Sequence, residues 1–510
     1  MSGRIVDGAT LTAPTQIEAD AVVVGTGAGG GMAFRELAKA GLRVVALEAG
    51  GYRTSSEFNQ REDDMLPMLF QDGGGQSTSD LAIRVLQGRG VGGSTVHNTN
   101  LCKRTPDAIL ELWQRRYGVS GASAREMAPL FDEIEHELSV TEIGAAQRNT
   151  NNEMLRIGAE ALGYRAGPLK HNRVGCLESG FCELGCSFNA KQNSLKLLVP
   201  DALERGGDLY ANVSATRLIV KEKRVVGVEA TLLDNFGRPR GTVDVRAPIV
   251  VLAASAVGSA VLLKRSGVDD PYNQAGRGLR LHPGAAVAGR FAREIVGFKG
   301  IPQSYECTEF LDFDNPAKRV WIVPAFAHPV GTASALTGFG AAHMSAMRTY
   351  RHIACLTAMV HDETSGVVDV TRDGGRVISY TMTESDSRQL ARGLIECARI
   401  LFAAGAAEVT IPAIPSLRFS SAKELDKISP TFAKPHAVPI TSVHPMGTLR
   451  MGDNPESSSV NSQGEHHQIK GLFVADGSIF PTSLGAPPQI SIYTFAKHLS
   501  RYVVNRAREL

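Results

Sequence analysis

Short, unbroken apolar runs recur along the chain, each followed by small residues and a helical pattern. Asp20–Val24 (DAVVV) is continuous rather than alternating, as in strands buried on both faces of a sheet. A glycine turn follows; Met32–Ala40 then reads as a helix and Leu42–Leu47 (LRVVAL) as a second strand. That order is a βαβ unit and predicts a parallel sheet. Pro248–Ala253 (PIVVLA) repeats the pattern before a helical stretch, Ala256–Arg265. Gly471–Ala475 (GLFVA) is a third buried strand, and Pro488–Arg506 a terminal helix with apolar Ile490, Tyr493, Leu499 and Val503. The three pieces predict one α/β sheet domain assembled from distant parts of the chain. Between about residues 290 and 435 the texture changes. Alternating Arg319–Pro324 and Val377–Met382, then a helix near Ser387–Ala404, predict a cap with an antiparallel sheet and covering helices. The division is 1–289 (with an inserted segment at about 107–200), 290–435 as the cap, and 436–510 returning to the first domain.

Composition narrows the classes. The 54 basic and 52 acidic residues nearly cancel, which removes a nucleic-acid binder built on a positive field. A 43% hydrophobic and 21% charged chain is globular rather than disordered. Seven cysteines, an odd count, argue against a disulfide scaffold. Residues 1–20 contain no apolar signal core, so a cytoplasmic location is expected. The longest apolar run, Ala247–Leu263, is broken by Pro248, Ser255, Gly258 and Ser259, so no transmembrane segment is expected.

Between the first strand and helix stands Gly25-Thr26-Gly27-Ala28-Gly29-Gly30, a GxGxxG. Gly25 permits the tight turn, Gly27 lets backbone approach a pyrophosphate, and Gly30 allows helix–strand packing over an anion-binding helix end. Glu48, at the end of the second strand, can accept from ribose hydroxyls. The fingerprint alone does not separate NAD from FAD; the split sheet and the Leu47-Glu48-Ala49-Gly50-Gly51 ending favour FAD.

Three further segments resemble the glucose–methanol–choline (GMC) flavoprotein oxidoreductases. They are Gly88–Asn98 (GRGVGGSTVHN), Ser442–Gly452 (SVHPMGTLRMG), and Val474–Thr482 (VADGSIFPT) running into Pro487-Pro488-Gln489. Their order covers the chain from about residue 18 onward. Detail around Thr95–Pro106 and Cys176–Ser194 is most similar to the bacterial branch related to long-chain alcohol oxidases. The resemblance implies a split Rossmann-like FAD-binding domain with a substrate-binding cap. Gly92, Gly93, His97, Asn98, Val213, Asp476 and Gln489 then join Gly25, Gly27, Gly30 and Glu48 as cofactor contacts. The N-terminus of the last helix would face the flavin's pyrimidine edge and stabilise negative charge there.

Alcohol oxidation removes a hydroxyl proton and a hydride; flavin N5 accepts the hydride and the protein supplies a base. By resemblance that base is His444. The partner position, usually Asn or His in the family, is Pro487, whose side chain neither donates nor accepts. This departure keeps open a lyase or photoenzyme on the same scaffold. His97, followed by Asn98, resembles the family members that bond the flavin covalently; close contact without a bond is the alternative. Cys176, Cys182 and Cys186 have the spacing to ligate a [3Fe–4S] cluster, with His171 upstream as a fourth ligand for zinc. Buried thiols are the favoured reading. The partners implied are a small alcohol and either oxygen or an external carrier as electron acceptor; a medium or long apolar alcohol is the lean. His282-Pro283 reads as structural, Met344, Met347 and Tyr350 as core or pocket wall, and His466-His467 as a solvated loop.

Overall fold

The computed structural model describes residues 2–11, 16–326, 328–336 and 338–510. Its centre is a six-stranded parallel sheet ordered Ile5–Asp7, Asp208–Ala211, Val44–Leu47, Ala21–Val24, Ile249–Leu252, Leu472–Val474. The four strands expected from apolar runs occupy its middle and one edge, and each is buried along its whole length. Val22 pairs with Val45 on one side and Val250 on the other. The other two strands, Ile5–Asp7 and Asp208–Ala211, carry a polar residue each and gave no apolar run. Helix Ala28–Lys39 packs between this sheet and the terminal helix Gln489–Arg508.

Beside it lies a nine-stranded, mostly antiparallel sheet. Its path runs Leu417–Phe419, Glu408–Ile411, Gly284–Arg290, Ile353–Val360, Val320–Pro324, Tyr305–Cys307, Ala166–Pro168. Ile440–Ser442 joins at Gly284 and pairs in parallel with Ile83–Val85. The sheet therefore draws strands from before, within and after the expected cap interval. Helices Thr150–Ala161 and Glu384–Ala403 cover its outer face. Thr383 caps the second of these through the Asp386 N–H. Its Leu390, Leu394, Cys397 and Leu401 are fully buried. Strand residues alternate accordingly: Ala285 and Val287 are buried beneath the helix, whereas Ala286 and Ala288 face the opposite side.

Some expectations change. Arg376–Ser379 belongs to a separate three-stranded sheet with Arg277–Leu279 and Gly366–Val370, not to the cap sheet. Helix Gly340–Arg348 contains no buried residue and Met344 is 57% exposed, so the Met344–Met347 spacing marks a surface helix rather than core. His466 is buried and His467 bonds Ser458, so that pair is packed rather than solvated. Among the described residues, no helix is long and apolar enough to cross a membrane.

Candidate active site

A cavity of about 740 Å³ runs between the two sheets. The first glycine loop, Glu48, His97, Asn98, Val213 and Asp476 line one part; His444, Pro487, Pro488 and Gln489 line the next; Ala286, Ala288, Thr357 and Met359 form the far wall. All the predicted cofactor and catalytic positions except Gly30 and Gly92 thus line one space.

Glycine is required where backbones touch. Gly25 has φ +95°, and a Cβ there would lie 2.4 Å from the Ala253 carbonyl oxygen. A Cβ on Gly30 would lie 1.9 Å from the carbonyl oxygen of Gly25, so the turn closes on the helix only without a side chain. Helix Ala28–Lys39 starts directly after this turn, and its first N–H groups supply the donors an anion needs.

Glu48 plays a part the fingerprint did not reveal. Its Oε2 accepts from the Thr26 N–H (3.1 Å) and hydroxyl (2.9 Å), its Oε1 from the N–H groups of Gly50 (3.0 Å) and Gly90 (3.2 Å). Thr26 Oγ1 in turn accepts the Gly92 N–H at 3.1 Å. One carboxylate therefore ties the second glycine loop to the first. Burial pushes the Glu48 pKa up, opposed by these hydrogen bonds.

The second loop is also joined to the last helix. Asn98 Nδ2 donates to Gln489 Oε1 at 2.7 Å, while Gln489 Nε2 donates to the Leu101 carbonyl at 2.8 Å. Asp476 is buried, accepts from Ser259 (2.6 Å) and from the Ser478 N–H (2.8 Å), and has its pKa raised by burial. The Val213 N–H donates to the Glu48 carbonyl at 2.8 Å. The His97 ring lies tilted against Phe70 with centroids 3.9 Å apart, and among the described residues its buried Nε2 has no hydrogen-bond partner. Burial, reinforced by the Lys191 charge, lowers the His97 pKa to about 3. Together, a glycine cradle, a helix N-terminus and an orphaned imidazole nitrogen fit a dinucleotide cofactor carrying an aromatic ring system.

His444 is half-buried, with its exposed surface on the cavity, and burial lowers its pKa to about 3. Its Nδ1 lies 3.3 Å from His282 Nδ1. The sequence reading treated His282 as structural; the structure puts it against the catalytic candidate. The available signal was a histidine set directly before a proline, in Leu279-Arg280-Leu281-His282-Pro283.

The structure lends the cysteine-ligand reading no support. Cys176, Cys182 and Cys186 border a separate cavity of only about 20 Å³. That is close to the room one water needs. Among the described residues, no three His, Cys, Asp or Glu side chains are arranged to hold a metal ion. The expected fourth ligand, His171, borders the same small cavity; it is fully buried and hydrogen-bonds the Gln303 carbonyl through Nε2. All three thiols are half-buried rather than buried, and desolvation pushes the Cys182 thiol up to about 12.

A parallel sheet with a glycine-loop nucleotide site, closed by a second sheet over a histidine-bearing cavity, defines a two-domain flavin oxidoreductase. The chain belongs to the GMC oxidoreductase family. GMC oxidoreductase family models match residues 66–284 and 371–496. The chain is 33% identical to an uncharacterized GMC-type oxidoreductase of Mycobacterium tuberculosis, over 95% of this chain and 75% of that protein. It is 30% identical to a long-chain-alcohol oxidase of Arabidopsis thaliana, over 97% of this chain and 67% of that protein. In fold it is similar to pyridoxine 4-oxidase from Mesorbium loti (TM-score 0.71, 17% identity, 95% of this chain and 98% of that one). A formate oxidase of Aspergillus oryzae is similar too (TM-score 0.73, 14% identity, 98% of this chain and 100% of that one).

Proposed function

We propose that the protein oxidises a medium or long apolar alcohol to a carbonyl compound, with FAD as cofactor and His444 as the residue that takes the hydroxyl proton. The observation carrying this reading is the continuity of one cavity from the glycine loops, past His444, to the inner face of the nine-stranded sheet. FAD, when bound, supplies a hydride acceptor at N5. The loops around Gly25–Gly30 and Gly88–Gly93, braced by Glu48, would hold the dinucleotide. Asp476 and the first turn of Gln489–Arg508 would border the ring's pyrimidine edge.

The far wall supports an apolar substrate. Ala286, Ala288, Met359, Trp321, Ala325 and Phe326 offer hydrocarbon surface, and the two alanines leave room for a chain. Thr357 in strand Ile353–Val360 and Thr410 in strand Glu408–Ile411 add hydroxyls to the wall. Burial keeps His444 neutral at pH 7, and only the neutral imidazole has a ring-nitrogen lone pair with which to take a proton.

A second reading rests on Pro487, which lines the cavity beside His444 and offers no side-chain hydrogen bond. It assigns the scaffold to a lyase or photoenzyme without net alcohol oxidation. Anaerobic mixing of the FAD-loaded protein with primary alcohols of increasing length separates the two. Bleaching of the flavin supports oxidation; product release without bleaching supports the second reading.

A further inference from the structure

His282 sits behind His444, 1% exposed and outside the cavity wall. Its backbone has φ +50°, a conformation a non-glycine residue adopts only when its surroundings impose it. The surroundings do so here. The Asp362 carboxylate accepts the N–H groups of Leu281 (2.9 Å) and His282 (3.2 Å), and the Tyr380 hydroxyl at 2.6 Å. Asp362 itself is fully buried against these donors.

The ring of His282 is then placed by two contacts. Its Nε2 faces the backbone N–H of Gly485 at 3.0 Å. An amide N–H only donates, so that nitrogen carries no proton. A neutral imidazole has one N–H, which in His282 must therefore be on Nδ1. That atom lies 3.3 Å from His444 Nδ1. His444 accordingly accepts at Nδ1 and, being neutral, carries its own proton on Nε2. The neighbouring His361 does not disturb this order, because its Nε2 donates to the Ser483 carbonyl at 3.1 Å.

We propose that His282 is a positioning residue that fixes His444 in the Nε2–H tautomer, so that in the resting enzyme the imidazole meets the substrate oxygen as a hydrogen-bond donor. This rests on the reading of His444 as the residue facing the substrate. It also refines that reading. For Nε2 of His444 to accept a proton, its own proton must reside on Nδ1, His282 must accept there, and the His282 proton must move to Nε2. There it would oppose the Gly485 N–H. The base-competent arrangement is thus the minor one of two tautomeric states of the pair, and the Gly485 amide sets the balance.

The test is ring-nitrogen NMR on the FAD-loaded protein labelled with ¹⁵N-histidine, the His444 signals being assigned by their loss in His444→Ala. The expected result is an unprotonated Nδ1 and protonated Nε2 for His444, with the reverse for His282, across about pH 6 to 8. In His282→Asn, chosen because Asn tolerates positive φ, the His444 signals should shift toward a mixture of both tautomers. His282→Gln, whose amide can donate to Nδ1, should restore the wild-type pattern. A wild-type His444 protonated on Nδ1 would overturn the proposal, as would His444 signals unmoved in His282→Asn. Should the variants not fold, the wild-type tautomer decides alone. If the tautomer is as expected but no alcohol bleaches the flavin, the functional reading fails and this assignment stands.

Discussion

The hydroxyl of Thr26 donates to Glu48 at 2.9 Å while accepting the Gly92 N–H at 3.1 Å, so one side chain couples the acidic end of the second strand to the second glycine loop. Both residues are buried. Thr26→Val keeps the shape and removes the hydroxyl, leaving a buried N–H and one carboxylate lone pair unmatched. A hydrogen bond to a carboxylate contributes about 1.5–3 kcal/mol, and an unsatisfied buried donor costs about 1–3 kcal/mol. FAD retention in the variant, measured by flavin fluorescence on dilution, should weaken by about tenfold or more. Unchanged retention would mean that the loop is ordered by other contacts.

Chain-length preference should be set by the alanines on the far wall. Ala286 and Ala288 alternate with the buried Ala285 and Val287, so their methyl groups face the cavity. Ala288→Leu adds three carbons to that space. KM for long primary alcohols should rise by roughly tenfold, the order expected from excluding one or two methylenes, with short alcohols little affected. An equal loss for every chain length would place the substrate elsewhere.

Acid should destabilise the protein from just below neutrality. Burial lowers His97, His171 and His444 to about 3, and His361, His466 and His498 to about 4, from 6.5. Between those values and about 6.5 the unfolded chain binds more protons than the folded one, so stability rises with pH across that window and is lost as pH falls through it. Tm measured by calorimetry should be flat near pH 7 to 8 and decline steadily from about pH 6.5 to 5. A Tm that increases on acidification would contradict the buried neutral imidazoles.

Arg319 and Asp386 form a buried ion pair, with side chains 5% and 0% exposed. Asp386 also accepts the Thr364 N–H at 2.8 Å and the Glu363 N–H at 3.1 Å, fixing the chain beside Asp362. Asp386→Ala removes the buried carboxylate and leaves the guanidinium only the more exposed Glu363 carboxylate, 3.4 Å away, at a cost of about 3 kcal/mol. Chemical denaturation should register that loss. A change below about 1 kcal/mol would show that the arginine finds water instead.

Much of the sheet core was legible because a parallel strand buried on both faces has to be an uninterrupted apolar run, as at Ala21–Val24 and Ile249–Leu252. The glycine turn was legible for a similar reason, since Gly25 and Gly30 have no space for a Cβ. What escaped notice depends on long-range contact. Ile5–Asp7 becomes a strand only by pairing with Asp208–Ala211, some two hundred residues away. His282 acquires its relation to His444 across 162 positions, which no local pattern encodes. The cysteine spacing suggested ligands and the fold does bring the three thiols to one small cavity with His171, but spacing alone does not fix a ligand geometry.

The most direct test of the account is stopped-flow reduction of the bound flavin, without oxygen, by a long-chain primary alcohol, comparing wild type with His444→Ala. The variant should keep full FAD content, since His444 takes no part in the glycine-loop network. Its reduction should be slower by about 10²–10⁴-fold, the span typical of losing a general acid–base group. A wild-type flavin that no alcohol bleaches, or a variant that bleaches as fast as wild type, would contradict the assignment of alcohol oxidation to His444.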